Sequence, residues 1–204
     1  MYALSRMLVA GVACFLAFAV ITWGVVARDT ALTRFDDRLM AALARRRSPT
    51  IDGVAAPLSM LATLEPLTVQ GMVAGVMLAA TVGRSGLLHF AIVSIGSGAL
   101  SEIVKRLVRR PRPPGPHVIP WIRGFAYPSG DLLTAAAIYL TIVLIAAPHL
   151  ADATARALAF AIVAGVLALL GACRVYVGVH HPSDVVGGAC LGAGWALFVA
   201  DWLG

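Results

Sequence analysis

Residues 7–27 read MLVAGVACFLAFAVITWGVVA and lie between Arg6 and Arg28 without one charged side chain. A helix needs about 20 apolar residues to cross the hydrocarbon core of a bilayer, and this run is long enough. It exceeds the apolar region of about 7–15 residues that a signal peptide contains, which favours a retained helix. Further runs without Asp, Glu, Lys or Arg occupy 66–83, 85–101, 132–151, 157–173 and 185–200. We therefore predict six transmembrane helices.

The composition excludes several classes of protein. Of 204 residues, 60% are hydrophobic and 13% are charged, whereas soluble domains have about 45–50% apolar and about 25% charged residues. These values exclude a soluble monomer and a disordered chain. They also exclude a nucleic-acid-binding module, although the formal net charge is +6. No linker rich in Gly, Pro or Ser divides the sequence, which predicts one domain over residues 1–204.

The stretch 30–47 has the periodicity of an amphipathic helix. Its apolar residues recur three or four apart at Leu32, Phe35, Leu39 and Leu43, with Arg34, Asp36, Asp37 and Arg38 between them. Such a helix is suited to the membrane surface, although a connector packed on the bundle fits equally. Residues 51–64 are apolar but contain Gly53 and Pro57, which indicates a re-entrant piece or the start of the second span. The predicted fold is all-α: a polytopic bundle of six transmembrane helices with an amphipathic interfacial helix after the first.

Three polar clusters lie at the ends of predicted spans, at positions where apolar residues would be expected to continue. They are KRLVRRPRP at 105–113, YPSGD at 127–131 and CRVYVGVHHPSD at 173–184. With six spans, all three fall on the same face of the membrane. A charged side chain at the centre of a bilayer costs about 2.5–3.5 kcal/mol, so charges kept in such segments usually have a function.

The residue types in these clusters fit a phosphate site. Lys105, Arg112 and Arg174 are cations of the kind that bind phosphate in a low-dielectric pocket. Ser129 and Gly130 stand where the fourth span begins, and the free N–H groups of a helix N-terminus bind anions. As a neutral imidazole, His180 would attack phosphorus. Asp184 would hold the proton of the other ring nitrogen.

Structural roles are also open to the residues of these clusters. Lipid headgroups are the expected partners of Arg106, Arg109, Arg110 and residues 45–47. Asp131 and Asp184 each fall in the first turn of a predicted helix, where a carboxylate favours the helix dipole. His181 is expected to line the site.

Together the clusters resemble the type 2 phosphatidic acid phosphatase (PAP2) family, which is related to the vanadium haloperoxidases. The family pattern is Lys, six residues, Arg-Pro; then Pro-Ser-Gly-His; then Ser-Arg, five residues, His, three residues, Asp. The matching residues are Lys105, Arg112, Pro113, Pro128, Ser129, Gly130, Arg174, His180 and Asp184. Two positions depart from the pattern: Asp131 replaces the histidine and Cys173 replaces the serine.

The resemblance implies an integral membrane lipid phosphatase that acts through a phosphohistidine on His180, without a metal or other cofactor. In the family, the histidine at the position of Asp131 protonates the departing alcohol. An aspartate, with a reference pKa of about 3.9, is a poor acid at neutral pH. This leaves open a natural variant, an engineered inactive form and a protein that is not an enzyme. For a natural variant we predict a preference for undecaprenyl diphosphate, whose leaving group needs little protonation, over phosphatidic acid or phosphatidylglycerol phosphate.

Two other functions remain open: a catalytically silent lipid-phosphate binding protein and a lipid phosphotransferase. The expected partners are the lipid phosphate substrate and the bilayer, with no nucleic acid. Most of the 16 Lys and Arg residues fall on the polar face, which the positive-inside rule would make cytoplasmic. The resemblance instead implies the periplasmic or external face of a bacterial inner membrane. We favour that orientation because many of these cations are expected to bind the phosphate ligand, and such cations are poor markers of the cytoplasmic side.

Overall fold

The computed structural model describes residues 5–61, 63–81, 83–115, 117–119 and 124–203. This part of the chain forms eight α-helices and contains no strand, which confirms the predicted all-α class. The helices are α1 (Arg6–Val26), α2 (Thr30–Ala44), α3 (Pro49–Leu61), α4 (Leu64–Thr81), α5 (Arg84–Val108), α6 (Gly130–Ala146), α7 (Ala153–Tyr176) and α8 (Pro182–Leu203). A short 3₁₀ turn, Ala147–His149, extends α6.

Five helices in the described residues are long and apolar enough to cross a membrane: α1, α5, α6 with its 3₁₀ turn, α7 and α8. Large apolar side chains such as Val20, Ile95 and Leu107 lie exposed on their outer faces. An exposed apolar surface of this kind marks a face that contacts lipid. The predicted span 66–83 coincides with α4, whose apolar part, Leu67–Met77, is shorter than the other spans. The sixth span therefore stays a prediction.

Helix α2 covers most of the predicted amphipathic stretch. It begins after Asp29, whose side chain accepts hydrogen bonds from two backbone N–H groups of the first turn. Phe35 and Leu39 are exposed, whereas Asp36, which belongs to the predicted charged set, is 0% exposed. The helix packs against α7 and α8. This contact fits the connector alternative, and a position at the membrane surface stays a prediction.

Residues 51–64 divide between two separate helices, because α3 ends at Leu61 and α4 begins at Leu64. Helix α3 packs against the end of α7. The hydroxyl of Tyr176 donates to Asp52 of α3 at 2.6 Å, and Arg47 donates to the carbonyl oxygen of Tyr176 at 3.1 Å. These bonds hold the segment before α3 and α3 itself against the polar end of α7.

Helices α6 and α8 approach each other so closely that α8 needs a glycine at the contact. A Cβ added at Gly192 would lie 2.1 Å from the carbonyl oxygen of Leu133 on α6. The starts of the two helices are also joined, because the backbone N–H of Ser129 donates to the carbonyl oxygen of Asp184 at 2.9 Å. Small residues permit such an approach between membrane helices. The packing thereby fixes the two helix starts relative to each other.

Replacing Gly192 by alanine is expected to lower the free energy of unfolding by about 3 kcal/mol, because the added methyl group forces α6 and α8 apart. The measurement is the thermal unfolding of purified protein in detergent. Gly98→Ala on α5 is the matched control, since no atom lies within 4 Å of a Cβ built there. Equal melting temperatures for the two variants would contradict the close packing.

Candidate functional site

The structure brings the three polar clusters together at one end of the bundle, where α5 and α7 end and α6 and α8 begin. Arg110, after α5, donates to Asp184 of α8 at 2.6 Å. Arg174 of α7 forms an ion pair with Asp131 of α6. With the bond from Ser129 to Asp184, these contacts join all four helix ends.

His180 lies in the turn between α7 and α8 and is 1% exposed. Its Nδ1 is 3.0 Å from the carbonyl oxygen of Ala126, and its Nε2 is 3.4 Å from Nη1 of Arg112. A carbonyl oxygen only accepts hydrogen bonds, so the neutral ring carries its proton on Nδ1 and a lone pair on Nε2. The nitrogen that faces the cation is therefore the one able to act as a nucleophile.

The predicted hydrogen bond between Asp184 and the ring of His180 is not formed. Oδ2 of Asp184 lies 3.7 Å from Nδ1 of His180, beyond normal hydrogen-bond distance. That oxygen instead accepts from the backbone N–H of His181 at 2.8 Å and from its Nδ1 at 3.2 Å, because a carboxylate in the first turn caps the helix start. The carbonyl of Ala126 orients the ring of His180, and Asp184 acts on it through charge.

Charge and burial together keep His180 neutral. Burial is the main cause that lowers its pKa, and the charges of Arg174 and Arg112 lower it further, whereas Asp184 opposes them. Burial likewise lowers the pKa of Arg112, with Arg174 acting in the same direction and Asp131 and Asp184 opposing. Arg112 also donates to the carbonyl oxygen of Val179 at 2.8 Å, which holds it beside the imidazole.

The lowered pKa of His180 predicts a particular pH dependence of phosphate release. For a nucleophile that reacts as the neutral ring, activity is expected to disappear as the pH falls through the pKa of His180 in the free protein. We expect kcat/KM to stay level from neutral pH down to about 6.5, the ordinary pKa of histidine, and to decline only below it. A pH profile of initial rates measures this. A decline centred above pH 6.5 would contradict the burial argument.

Arg174 is buried and already has partners. Besides its ion pair with Asp131, its Nη1 lies 3.3 Å from the hydroxyl and 3.4 Å from the carbonyl oxygen of Ser59 on α3. One cation of the predicted set is thus neutralised by the residue that replaces the family histidine. A phosphate at Arg174 has to share this guanidinium with Asp131.

Lys105, Ser129 and Gly130 meet at the start of α6. A Cβ at Gly130 would lie 2.6 Å from the hydroxyl of Ser101 and 3.0 Å from Nζ of Lys105, so a larger residue there would displace these two side chains. Lys105 pairs weakly with Glu102 at 3.7 Å. Ser129 is buried, and its hydroxyl has no hydrogen-bond partner among the described residues. An unpaired buried hydroxyl beside a lysine at a helix N-terminus is suited to binding an anion.

Sequence reasoning missed several residues around this site. Arg110 was expected at the lipid headgroups, yet it pairs with two carboxylates, those of Asp184 and Asp36. No feature of the sequence distinguishes Arg110 from its neighbours Arg106 and Arg109. Ser59 had no signal either, because a serine in an apolar helix is common.

A cavity of about 710 Å³ adjoins the site between the end of α1, the start of α2 and the end of α5. His181 lines it, together with the cations Arg28, Arg34, Arg109, Arg110 and Arg112. The remaining wall is largely apolar, and in the described chain no carboxylate lines it. The cavity therefore suits an amphipathic ligand that carries negative charge.

The chain is similar to known proteins in sequence and in fold. The family model described as the PAP2 superfamily matches residues 86–204. Phosphatidylglycerophosphatase B of Bacillus subtilis (strain 168) is 36% identical over 96 residues, which cover 46% of this chain and 46% of that protein. The chain thus spans about half the length of this curated relative.

Two solved structures are similar in fold to most of this chain. The crystal structure of the first transmembrane PAP2 type phosphatidylglycerolphosphate phosphatase from Bacillus subtilis superposes with a TM-score of 0.84 at 25% identity, covering 94% of each chain. The crystal structure of Aquifex aeolicus LpxE superposes with a TM-score of 0.62 at 21% identity, covering 80% of this chain and 93% of that one. The second similarity concerns the fold alone.

Proposed function

We propose, since the chain belongs to the PAP2 superfamily, that it is a multi-pass membrane lipid phosphatase acting as a single domain. Nε2 of His180 attacks the terminal phosphorus of a lipid phosphate or diphosphate, and the bond to the leaving oxygen breaks. Water then hydrolyses the phosphohistidine and releases inorganic phosphate. Asp184 stabilises the positive charge that develops on the ring, and Lys105, Arg112, Arg174, Ser129 and Gly130 bind the phosphate.

One observation carries this proposal: a buried imidazole whose Nδ1 is held by a carbonyl while its Nε2 faces Arg112 at 3.4 Å. A nucleophile needs a fixed orientation and cations at the site of developing charge. Here the backbone provides the first and Arg112 provides the second. The named activity of the B. subtilis relative, a phosphatidylglycerophosphatase, supports the same reaction class.

The cavity favours a lipid that carries two phosphates. Arg28, Arg34 and Arg109 line it, and none of them is among the residues that match the family pattern, so they are available to a second anionic group. A lipid diphosphate, with undecaprenyl diphosphate favoured, and phosphatidylglycerol phosphate both have such a group, whereas phosphatidic acid does not. Asp131 favours the diphosphate further, because a phosphate leaving group needs little protonation.

The test is phosphate release from undecaprenyl diphosphate, phosphatidylglycerol phosphate and phosphatidic acid in detergent micelles. We expect the diphosphate to be fastest. The double variant Arg34→Gln with Arg109→Gln is expected to raise KM for the two-phosphate lipids about tenfold, and to leave phosphatidic acid unaffected. Arg38→Gln with Arg106→Gln is the control, because both arginines are exposed, on α2 and α5, and neither lines the cavity. Faster release from phosphatidic acid would refute the preference.

A second candidate is a lipid-phosphate binding protein without catalysis. The ion pair between Asp131 and Arg174 favours it, because this pair replaces the acid and occupies a phosphate-binding cation. Such a protein would bind phosphatidic acid and the diphosphate without releasing phosphate from any of the three lipids. The same panel of substrates therefore separates the two functions.

We also propose that the polar end of the bundle faces the periplasm or the cell exterior. His117, exposed in the loop before α6, is a suitable position for a single cysteine in a chain that lacks Cys14, Cys173 and Cys190. A membrane-impermeant maleimide is expected to label His117→Cys in intact cells. Labelling only after the cells are broken would place this end in the cytoplasm.

A further inference from the structure

The carboxylate of Asp36 joins α2 to the start of α8 over 147 positions of sequence. Its Oδ1 accepts the backbone N–H of Ser183 at 2.9 Å, and its Oδ2 accepts the hydroxyl of Ser183 at 2.5 Å. Oδ2 also receives Nη2 of Arg110 at 2.8 Å. Every oxygen of this buried carboxylate is therefore engaged, and α2 caps α8 from outside that helix.

Arg110 connects this cap to Asp184. Its Nη1 donates to Oδ1 of Asp184 at 2.6 Å and to the hydroxyl of Ser183 at 2.7 Å, while its Nη2 holds Asp36. With Oδ1 taken by Arg110, only Oδ2 of Asp184 is turned toward the two histidines. The planar guanidinium fork thus sets the rotation of the carboxylate that lies beside the nucleophile.

We propose that Asp36 is a positioning residue for the phosphatase site, which holds Arg110 so that Arg110 fixes the orientation and the charge of Asp184. This inference rests on the proposed function for its kinetic test. Asp36 lies outside residues 86–204, the part of the chain that matches the family model, and so the motifs do not contain it.

The charge balance predicts the direction of the effect. Two carboxylates share one guanidinium, so the cluster of Asp36, Arg110 and Asp184 carries a net negative charge. The charged and titratable groups around the ring and its carboxylate are Asp184 on α8, Arg174 on α7, Asp131 on α6, His181 in the turn, and Arg110, Arg112 and Tyr127 in the loop between α5 and α6. Removing the charge of Asp36 leaves Arg110 to neutralise Asp184 alone, and the imidazole then becomes harder to protonate.

The experiment compares Asp36→Asn with Asp37→Asn in the full chain. The second variant removes the same charge from the neighbouring, exposed position. For Asp36→Asn we expect the acid limb of kcat/KM to move to lower pH by about half a unit or more, with a decrease of kcat. Asp37→Asn is expected to keep the wild-type profile. Asp36→Glu retains the charge and is expected to return the acid limb to its wild-type position.

A purely structural role would give a different result, because a smaller folded fraction lowers the rate equally at every pH. Loss of activity by Asp36→Asn without movement of the acid limb would therefore overturn the proposal. The proposal would also be overturned if Asp37→Asn folds while both Asp36→Asn and Asp36→Glu fail to fold.

A second measurement separates this inference from the proposed function. Orthovanadate mimics the pentacoordinate phosphoryl group, and its stabilisation of the protein against heat needs no turnover. If the wild-type protein releases no phosphate from any lipid, the proposed function fails. The pH dependence of vanadate stabilisation then still tests Asp36: a midpoint moved by Asp36→Asn supports the positioning role, and an unmoved midpoint overturns it.

Discussion

His180→Ala is expected to abolish phosphate release, with a loss of roughly 10⁴-fold or more, because the variant lacks the nitrogen that forms the covalent intermediate. The buried ring has its Nε2 beside Arg112. Its neighbour His181 also donates through its Nδ1, to Asp184, but it does not stand at the histidine position of the family pattern. The measurement is the initial rate of phosphate release from undecaprenyl diphosphate by purified protein.

The matched control is His149→Ala, which removes an exposed histidine at the end of the 3₁₀ turn after α6. It is expected to retain the wild-type rate. Binding of orthovanadate by His180→Ala should become weaker but remain measurable, since the cations are unchanged. Residual release within tenfold of wild type would show that His180 is not the nucleophile.

Asp131→His is expected to increase the rate on phosphatidic acid by about 100-fold or more, because a general acid contributes about 10²–10⁴-fold when the leaving group is an alcohol. The rate on undecaprenyl diphosphate should change far less, since its phosphate leaving group departs without that proton. The measurement is kcat for both substrates, with wild type and variant side by side.

Asp131→Asn separates the two effects of this substitution. Asparagine removes the negative charge that now pairs with Arg174 and supplies no acid. We expect it to lower KM for all lipid phosphates without raising kcat on phosphatidic acid. If Asp131→Asn equals Asp131→His on phosphatidic acid, relief of the ion pair explains the gain and proton donation does not.

The fold class could be predicted from hydropathy alone, because each spanning segment is a run of apolar residues between charges. The predicted span 85–101 lies within α5, and the run 132–151 coincides with α6 and its 3₁₀ turn. Hydropathy does not predict the position of a segment when contacts with another helix determine it. Helix α3 packs against α7, a contact that the sequence of α3 cannot show.

The sequence predicts those site residues that belong to a motif of fixed spacing. It does not predict those that reach the site from a distant element of the chain. Lys105, Arg174 and His180 stand at the spacings of the family pattern, whereas Ser59 belongs to no motif. Asp36 did carry a signal. It stands four residues after Leu32 and three before Leu39, on the apolar face of α2, where an isolated carboxylate needs a buried partner. Spacing within one helix shows that such a partner exists, but it does not identify Arg110.

The cap that α2 supplies to α8 bears on any attempt to reduce this protein to a minimal catalytic unit. A polypeptide trimmed to residues 86–204 retains all three motifs, yet Arg110 and the amide of Ser183 would lose their counterpart on α2. Chimeras that graft these motifs onto another membrane scaffold would meet the same deficit. The segment before residue 86 is therefore not an interchangeable anchor, and a transplanted site should carry α2 with it.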